Sequence, residues 1–161
     1  MMGDRLRKRI QQDRFESPLQ EAVLNLMVAA DYVHELTERA CAECGITGSQ
    51  FNVLRILRGA HPEGHPRHEI ARRMVERAPD VTRLIDRLEK QGLVARDRTE
   101  RDRRLSISRI TPAGLEVLER IDPRIREMQE HLAERISLRD RRELSRICEG
   151  IYGEAEAPPK G

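Results

Sequence analysis

The sequence predicts a mainly α fold with a small β-wing, and three observations predict it. Apolar residues recur at steps of three and four through both ends of the chain, the mark of amphipathic helices. The period switches to two only between Leu93 and Ile110, on either side of an almost wholly charged run. Aromatics make up 2% of the residues and Trp is absent, so the core must come from Leu, Ile, Val, Ala and Met, a mixture that favours helices.

Each element can be read in order. Residues 1–16 carry Arg5, Arg7, Lys8, Arg9 and Arg14 with little apolar pattern, and read as a mobile arm or a frayed helix start. From Leu19, the set Ala22, Val23, Leu26, Met27, Ala30, Val33, Leu36, Ala40 and Cys44 traces one long helix, which Gly45 stops. Thr47 and Gln50 have capping-box spacing ahead of Phe51, Val53, Leu54 and Leu57, a second helix ending near Gly59. His61-Pro62-Glu63-Gly64-His65-Pro66 reads as a loop without regular structure. Pro66 suits the first turn of a third helix with Ile70, Ala71 and Met74 inward. Pro79 opens a fourth through Val81, Leu84, Ile85 and Leu88, and Gly92 ends it.

Leu93–Arg96 and Leu105–Ile110 then read as two strands of a hairpin whose tip is Asp97-Arg98-Thr99-Glu100-Arg101-Asp102-Arg103-Arg104. Thr111-Pro112 supplies N-cap and first residue of a long helix through Leu115, Leu118, Ile121, Ile125, Met128, Leu132 and Ile136, with Pro123 expected to kink it. Ser137 and Asp140 restart the chain as a last helix through Leu138, Leu144, Ile147 and Ile151.

This order, a long helix, three short helices, a charged hairpin, a long helix and a final helix, has a winged helix-turn-helix at its middle. An α-helix fits the major groove of duplex DNA and presents side chains to base edges. On the fourth helix Asp80, Thr82, Arg83, Asp86 and Arg87 lie on or near the face opposite the apolar one. Arg83 and Arg87 are one turn apart and share a face. Arg98, Arg101, Arg103 and Arg104 cluster on the hairpin tip with Asp102, and clustered guanidinium groups suit the negative potential of a narrow minor groove. A plain solvated helix face and a plain charged turn are the alternatives. Four arginines in seven residues favour a ligand at the tip, because unliganded turns use Gly and Asn.

Several stretches carry a resemblance. Ile46-Thr47-Gly48-Ser49-Gln50-Phe51-Asn52-Val53-Leu54 resembles the opening of the multiple-antibiotic-resistance regulator (MarR) family. Val81–Glu89 followed by Gly92-Leu93-Val94 is similar to that family's recognition helix and first wing strand. Asp102-Arg103-Arg104 and Ile110-Thr111-Pro112-Ala113-Gly114 are similar to its wing motif and the start of the next helix. The loop from Gly59 to Pro66 is longer than in simple members, and Ala78-Pro79-Asp80 stands where many carry hydroxyl residues.

The resemblance implies a homodimer built from the first helix and the last two. It implies recognition helices in successive major grooves of a pseudo-palindromic double-stranded DNA operator, with wings in the minor grooves. It implies repression, often relieved by a small aromatic ligand. In the wing, Asp102 would orient Arg104 into the minor groove and Arg103 would touch phosphate. The expected division is a charged arm at 1–16, a dimerisation helix at 17–45, the DNA-binding region at 46–111, C-terminal dimerisation helices at 112–153 and a disordered tail at 154–161.

Other features are weighed against simpler readings. Cys41 and Cys44 stand three apart near a helix end with no second ligand pair; small core residues are the simpler reading and a redox pair the alternative. His61, His65 and His68 bunch at the loop, where solvated histidines are a better reading than a metal site. Tyr32, His34 and Arg55 are candidate polar linings of an effector pocket. The sequence holds no nucleophile elbow, phosphate loop, dinucleotide fingerprint or zinc-protease motif, so no enzyme, catalytic residue, cofactor or metal is expected. Formal net charge is only +2, so the distribution of charge matters more than its sum. Three cysteines, a charged start and no membrane-length apolar run lead to the expectation of a cytoplasmic protein without membrane partner. A winged domain that docks protein instead of DNA is the competing function.

Overall fold

A computed structural model describes residues 4–77, 80–97 and 106–153. The expected tail at 154–161 and the wing tip, including Arg98, Arg101, Asp102, Arg103 and Arg104, lie outside the described residues. The chain divides into two compact units, Met1–Asp122 and Pro123–Gly161.

The first unit opens with helix α1 (Asp4–Ile10). The arm is therefore partly helical, and its Leu6 is buried. Helix α2 (Pro18–Ala42) begins where Ser17 accepts a hydrogen bond from the Gln20 amide (3.1 Å), with Pro18 pre-set for the first turn. It ends two residues before the predicted Cys44, and Gly45 leaves in the left-handed region (φ +70) with its amide on the Ala42 carbonyl.

Helix α3 (Gly48–Gly59) forms behind the predicted capping box: Thr47 Oγ1 accepts from the Gln50 amide and Gln50 Oε1 from the Thr47 amide. Glu38 of α2 takes the next free amide, that of Gly48 (2.7 Å). Val53, Leu54 and Leu57 are fully buried because α3 packs on α2, α4, α5 and β3 at once.

The segment 61–66 is not wholly irregular. His65–Pro66 forms a short strand, β1, antiparallel to β3, with His65 opposite Ser108. Proline fits there because β1 is an edge strand. Gly64 (φ +77) precedes it, and a methyl group at this position would overlap the Ser108 carbonyl and sit 2.7 Å from Arg109 Cγ. Helix α4 (Arg67–Arg73) buries Ile70, as predicted, but leaves Ala71 exposed, because only a narrow stripe of so short a helix faces α3.

Helix α5 (Val81–Lys90) starts two residues later than the proline reading. Asp80 caps it by accepting from the Arg83 amide (3.0 Å). Strands β2 (Val94–Asp97) and β3 (Ile107–Ile110) pair antiparallel and complete a three-stranded sheet in the order β1-β3-β2. Ser108 and Ile110 point inward.

Helix α6 (Pro112–Arg135) contains Pro123. Thr111 ties its start to the end of α5. The hydroxyl donates to the Gly92 carbonyl (2.7 Å) and accepts from the Gly114 amide (3.1 Å), while the Thr111 amide donates to the Leu93 carbonyl (3.1 Å). A Cβ on Gly114 would overlap that same Leu93 carbonyl. Val117, Leu118 and Ile121 join the core, and Arg58 of α3 holds Asp122 at 2.6 Å.

In the second unit α7 (Leu138–Tyr152) follows the predicted cap, Ser137 accepting from the Asp140 amide. Arg141 closes the end of α6 by donating to the Ala133 and Ile136 carbonyls. No residue of α7 is buried.

Candidate nucleic-acid interface

The site is built on α5. Val81, Ile85 and Leu88 are buried, so the opposite face of the helix must look outward. Thr82, Arg83, Arg87 and Lys90 are exposed there. The positions 83, 87 and 90 follow a four-then-three step and make one cationic row. Lys90 was missed by the sequence reading, although its three-residue spacing from Arg87 carried the signal.

Two predicted contact residues have other occupations. Asp80 is the helix cap and also lies 2.9 Å from Arg83 Nε, so it holds the first turn together. Asp86 leans toward strand β2, where its carboxylate pairs with the guanidinium of Arg96. Arg96 Nε also lies 3.3 Å from Glu89. The Arg96 side chain is only 18% exposed, so these ions are half withdrawn from water.

Both ends of α5 are held. Leu93 N–H donates to the Leu88 carbonyl (2.9 Å), Gly92 turns at φ +73, and Gln91 Nε2 donates to the Gly45 carbonyl (3.1 Å). Ahead of the helix, the segment after α4 is tethered twice. Asn52 of α3 accepts from the Val75 amide (2.9 Å), and His34 Nδ1 lies 3.1 Å from Glu76 Oε1. Asn52 was quoted within the α3 motif but its tethering role needs a partner 23 residues away.

The base of the wing is similarly fixed. Arg109 of β3 pairs with Asp97 of β2 and donates through Nε to the Pro62 carbonyl (3.1 Å). Arg109 thereby ties the β2–β3 pair to the α3–α4 connection.

Tyr32 and His34 are two apart on a helix and so do not share a face. His34 is engaged with Glu76 and lies 3.7 Å from Glu38. Arg55 is exposed, its guanidinium 5.8 Å from the centre of the Phe51 ring.

Cys41 is fully buried and Cys44 half-buried, in line with the core reading. Burial, with the Glu38 charge and the neighbouring Cys44 in support, pushes the Cys41 thiol from 9.0 up to about 12. At neutral pH it is protonated, and the thiolate is the nucleophile. We expect iodoacetamide at pH 8 to label half-buried Cys44 and Cys148 well before Cys41, read by mass spectrometry; Cys41 labelling first would contradict the burial argument. Because the folded pKa lies above the ordinary value, the stability linked to Cys41 is complete below pH 9 and lost as pH rises from 9 toward 12.

Among the described residues, no group of three or more His, Cys, Asp and Glu is placed to hold a metal ion, and no helix is long and apolar enough to cross a membrane.

The MarR family model matches residues 46–106, from the α3 cap to the start of the last strand. A MarR transcription factor from Planctomyces limnophilus is 38% identical over 84% of this chain and 98% of that one, with a TM-score of 0.66. The S. aureus MepR–DNA complex is 18% identical over 83% and 96% of the two chains, with a TM-score of 0.70. The organohalide-sensing regulator RdhR-CbdbA1625, solved with 2,4-dichlorophenol, is 16% identical over 89% and 87%, with a TM-score of 0.76. The latter two show a shared fold. The first, with its identity spread over nearly its whole length, shows kinship: this chain belongs to the MarR family of transcription regulators.

Proposed function

We propose that the protein is a homodimeric, sequence-specific double-stranded DNA-binding regulator, a repressor that a small aromatic ligand releases from its operator. The observation that carries this reading is the outward row of Arg83, Arg87 and Lys90 on a helix whose other face is locked in the core. Thr82, Arg83 and Arg87 read base edges, where a bidentate Arg–guanine contact contributes about 1–3 kcal/mol of discrimination. Lys90 meets phosphate. The wing continues from its fixed base: Asp102 orients Arg104 into the minor groove, and Arg98, Arg101 and Arg103 lie along the backbone.

Dimerisation is supported by apolar side chains that one chain leaves in water. Leu19, Val23 and Met27 form a stripe on α2, and Leu144, Ile147 and Ile151 form another on α7. A second copy is the partner whose surface matches these stripes by symmetry. The aromatic effector is supported by the dichlorophenol bound to RdhR-CbdbA1625; Tyr32, His34 and Arg55 are its candidate polar contacts, and since Tyr32 and His34 lie on different faces of α2, one small ligand would meet at most one of that pair within a chain. Acting on chromosomal DNA places the protein in the cytoplasm, with no chemistry of its own to catalyse.

The deciding experiment is protection footprinting on the DNA flanking the gene, at fixed salt, with and without a panel of aromatic acids. A symmetric footprint that one acid abolishes is expected; no preference over scrambled duplex would favour the protein-docking alternative. Arg104→Ala should weaken operator binding by roughly tenfold, the scale of one good groove contact, while sedimentation still reports a dimer. Unchanged affinity in that variant would remove the wing from the interface.

A further inference from the structure

We infer that Arg96 is a positioning residue for DNA readout: with Asp86 and Glu89 it forms a clamp that fixes the recognition helix α5 to wing strand β2, so that helix and wing dock as one body. The inference rests on the proposed DNA binding and assigns Asp86 to the protein's own framework instead of to a base.

The geometry is specific. Arg96 stands on β2, opposite Ser108 of β3, which is buried. Its guanidinium reaches back across the Gly92 turn to two carboxylates on one flank of α5, three residues apart. Residues at that spacing are neighbours on a helix surface, so one planar guanidinium can engage both. The fork is a better choice than a lysine, which offers a single point charge.

Withdrawal from water makes the cluster matter. Arg96 is mostly covered, and its Nε is buried with no hydrogen-bond partner of good geometry, close to Glu89. Removing either side leaves charge behind in a half-desolvated place, which costs more than losing a surface pair. An Asp so occupied is also poorly placed to accept from cytosine N4, the contact that a base-reading carboxylate would make. Val81, Ile85 and Leu88 seat α5 on the core along one seam, and the ends of the helix are held by its cap and by the Gly92 turn. The clamp, lying off that apolar seam, adds a constraint on the flank of the helix and so on the direction of Arg83 and Arg87.

A double-mutant cycle tests the clamp, using full-length protein, the footprinted operator and a scrambled duplex. Arg96→Met keeps the aliphatic stem, and Asp86→Asn keeps the shape. Each should lower operator affinity about tenfold with little change on scrambled DNA, because no cation facing the DNA is lost from the Arg83–Lys90 row. The double variant should be no worse than the worse single, since residues of one network couple strongly. Arg96→Lys should restore only part of the loss. Amide exchange measured without DNA should quicken across residues 84–97 in Arg96→Met.

Strictly additive losses would overturn the clamp. So would Asp86→Asn shifting base preference at a single operator position while Arg96→Met does not, since that would make Asp86 a reader. If the wild-type protein fails to prefer its operator, the DNA-binding reading falls, and unchanged amide exchange in Arg96→Met would separately sink the clamp.

Discussion

Operator affinity should collapse with salt, falling by about 10³–10⁵ between 50 and 200 mM if six to ten phosphates are contacted. Each neutralised phosphate releases condensed counterions, and the logarithm of the binding constant falls by roughly 0.9 per contact for each tenfold rise in salt. Each copy brings Arg83, Arg87 and Lys90 on α5, all exposed, before any wing residue is counted. Overall charge gives no hint of this, because 28 acidic residues offset 30 basic ones. The steep response must come from local placement: Asp86, beside the row, is already paired with Arg96 outside it, while Asp80 offsets part of the charge of Arg83. Fluorescence anisotropy on a labelled operator across that salt range is the measurement. A nearly flat response would mean that the cationic row does not lie along the duplex.

Leu54→Ala should be the most damaging single truncation to stability, at about 2–5 kcal/mol. Leu54 has no exposed surface and sits on α3, the helix that touches α2, α4, α5 and β3. The loss combines the transfer of a buried side chain with a cavity that four surrounding elements cannot close by moving together. Typical domains have only about 5–15 kcal/mol in reserve. For a chain of this length the change corresponds to a fall in Tm of roughly 4–20 °C by calorimetry. Val75→Ala is the comparison: Val75 is 85% exposed, and its truncation should stay within about 0.5 kcal/mol. Equal effects from the two would mean that α3 is not the centre of the core.

What the sequence could reveal divides by distance along the chain. The Thr47–Gln50 capping box, the Ser137 cap and the glycine stops at 45 and 92 are settled within one helical turn, and the structure has them all. The cap Ser17 is equally local, standing just before Pro18, but the apolar periodicity begins only at Leu19 and does not point to it. Strand β1 was not legible, because two residues become a strand only when β3 lies alongside them. The same holds for Asp86. From the helix alone it is one more outward charge, and its partner Arg96 appears only once the chain has turned back through Gly92. Asn52 and Arg109 likewise act through backbone groups 23 and 47 residues away. Even local roles were not all legible: the caps Ser17 and Asp80 lie within one turn of their partners, yet the first was not read and the second was assigned to DNA.

Thr111 and Gly114 carry a consequence for control. One hydroxyl and two amides lash the first turn of α6 to the turn that ends α5, and no side chain fits between them. The two helices meet at a fulcrum without slack. Any displacement of the start of α6 is therefore carried into the end of α5, with nothing compressible between them to absorb it.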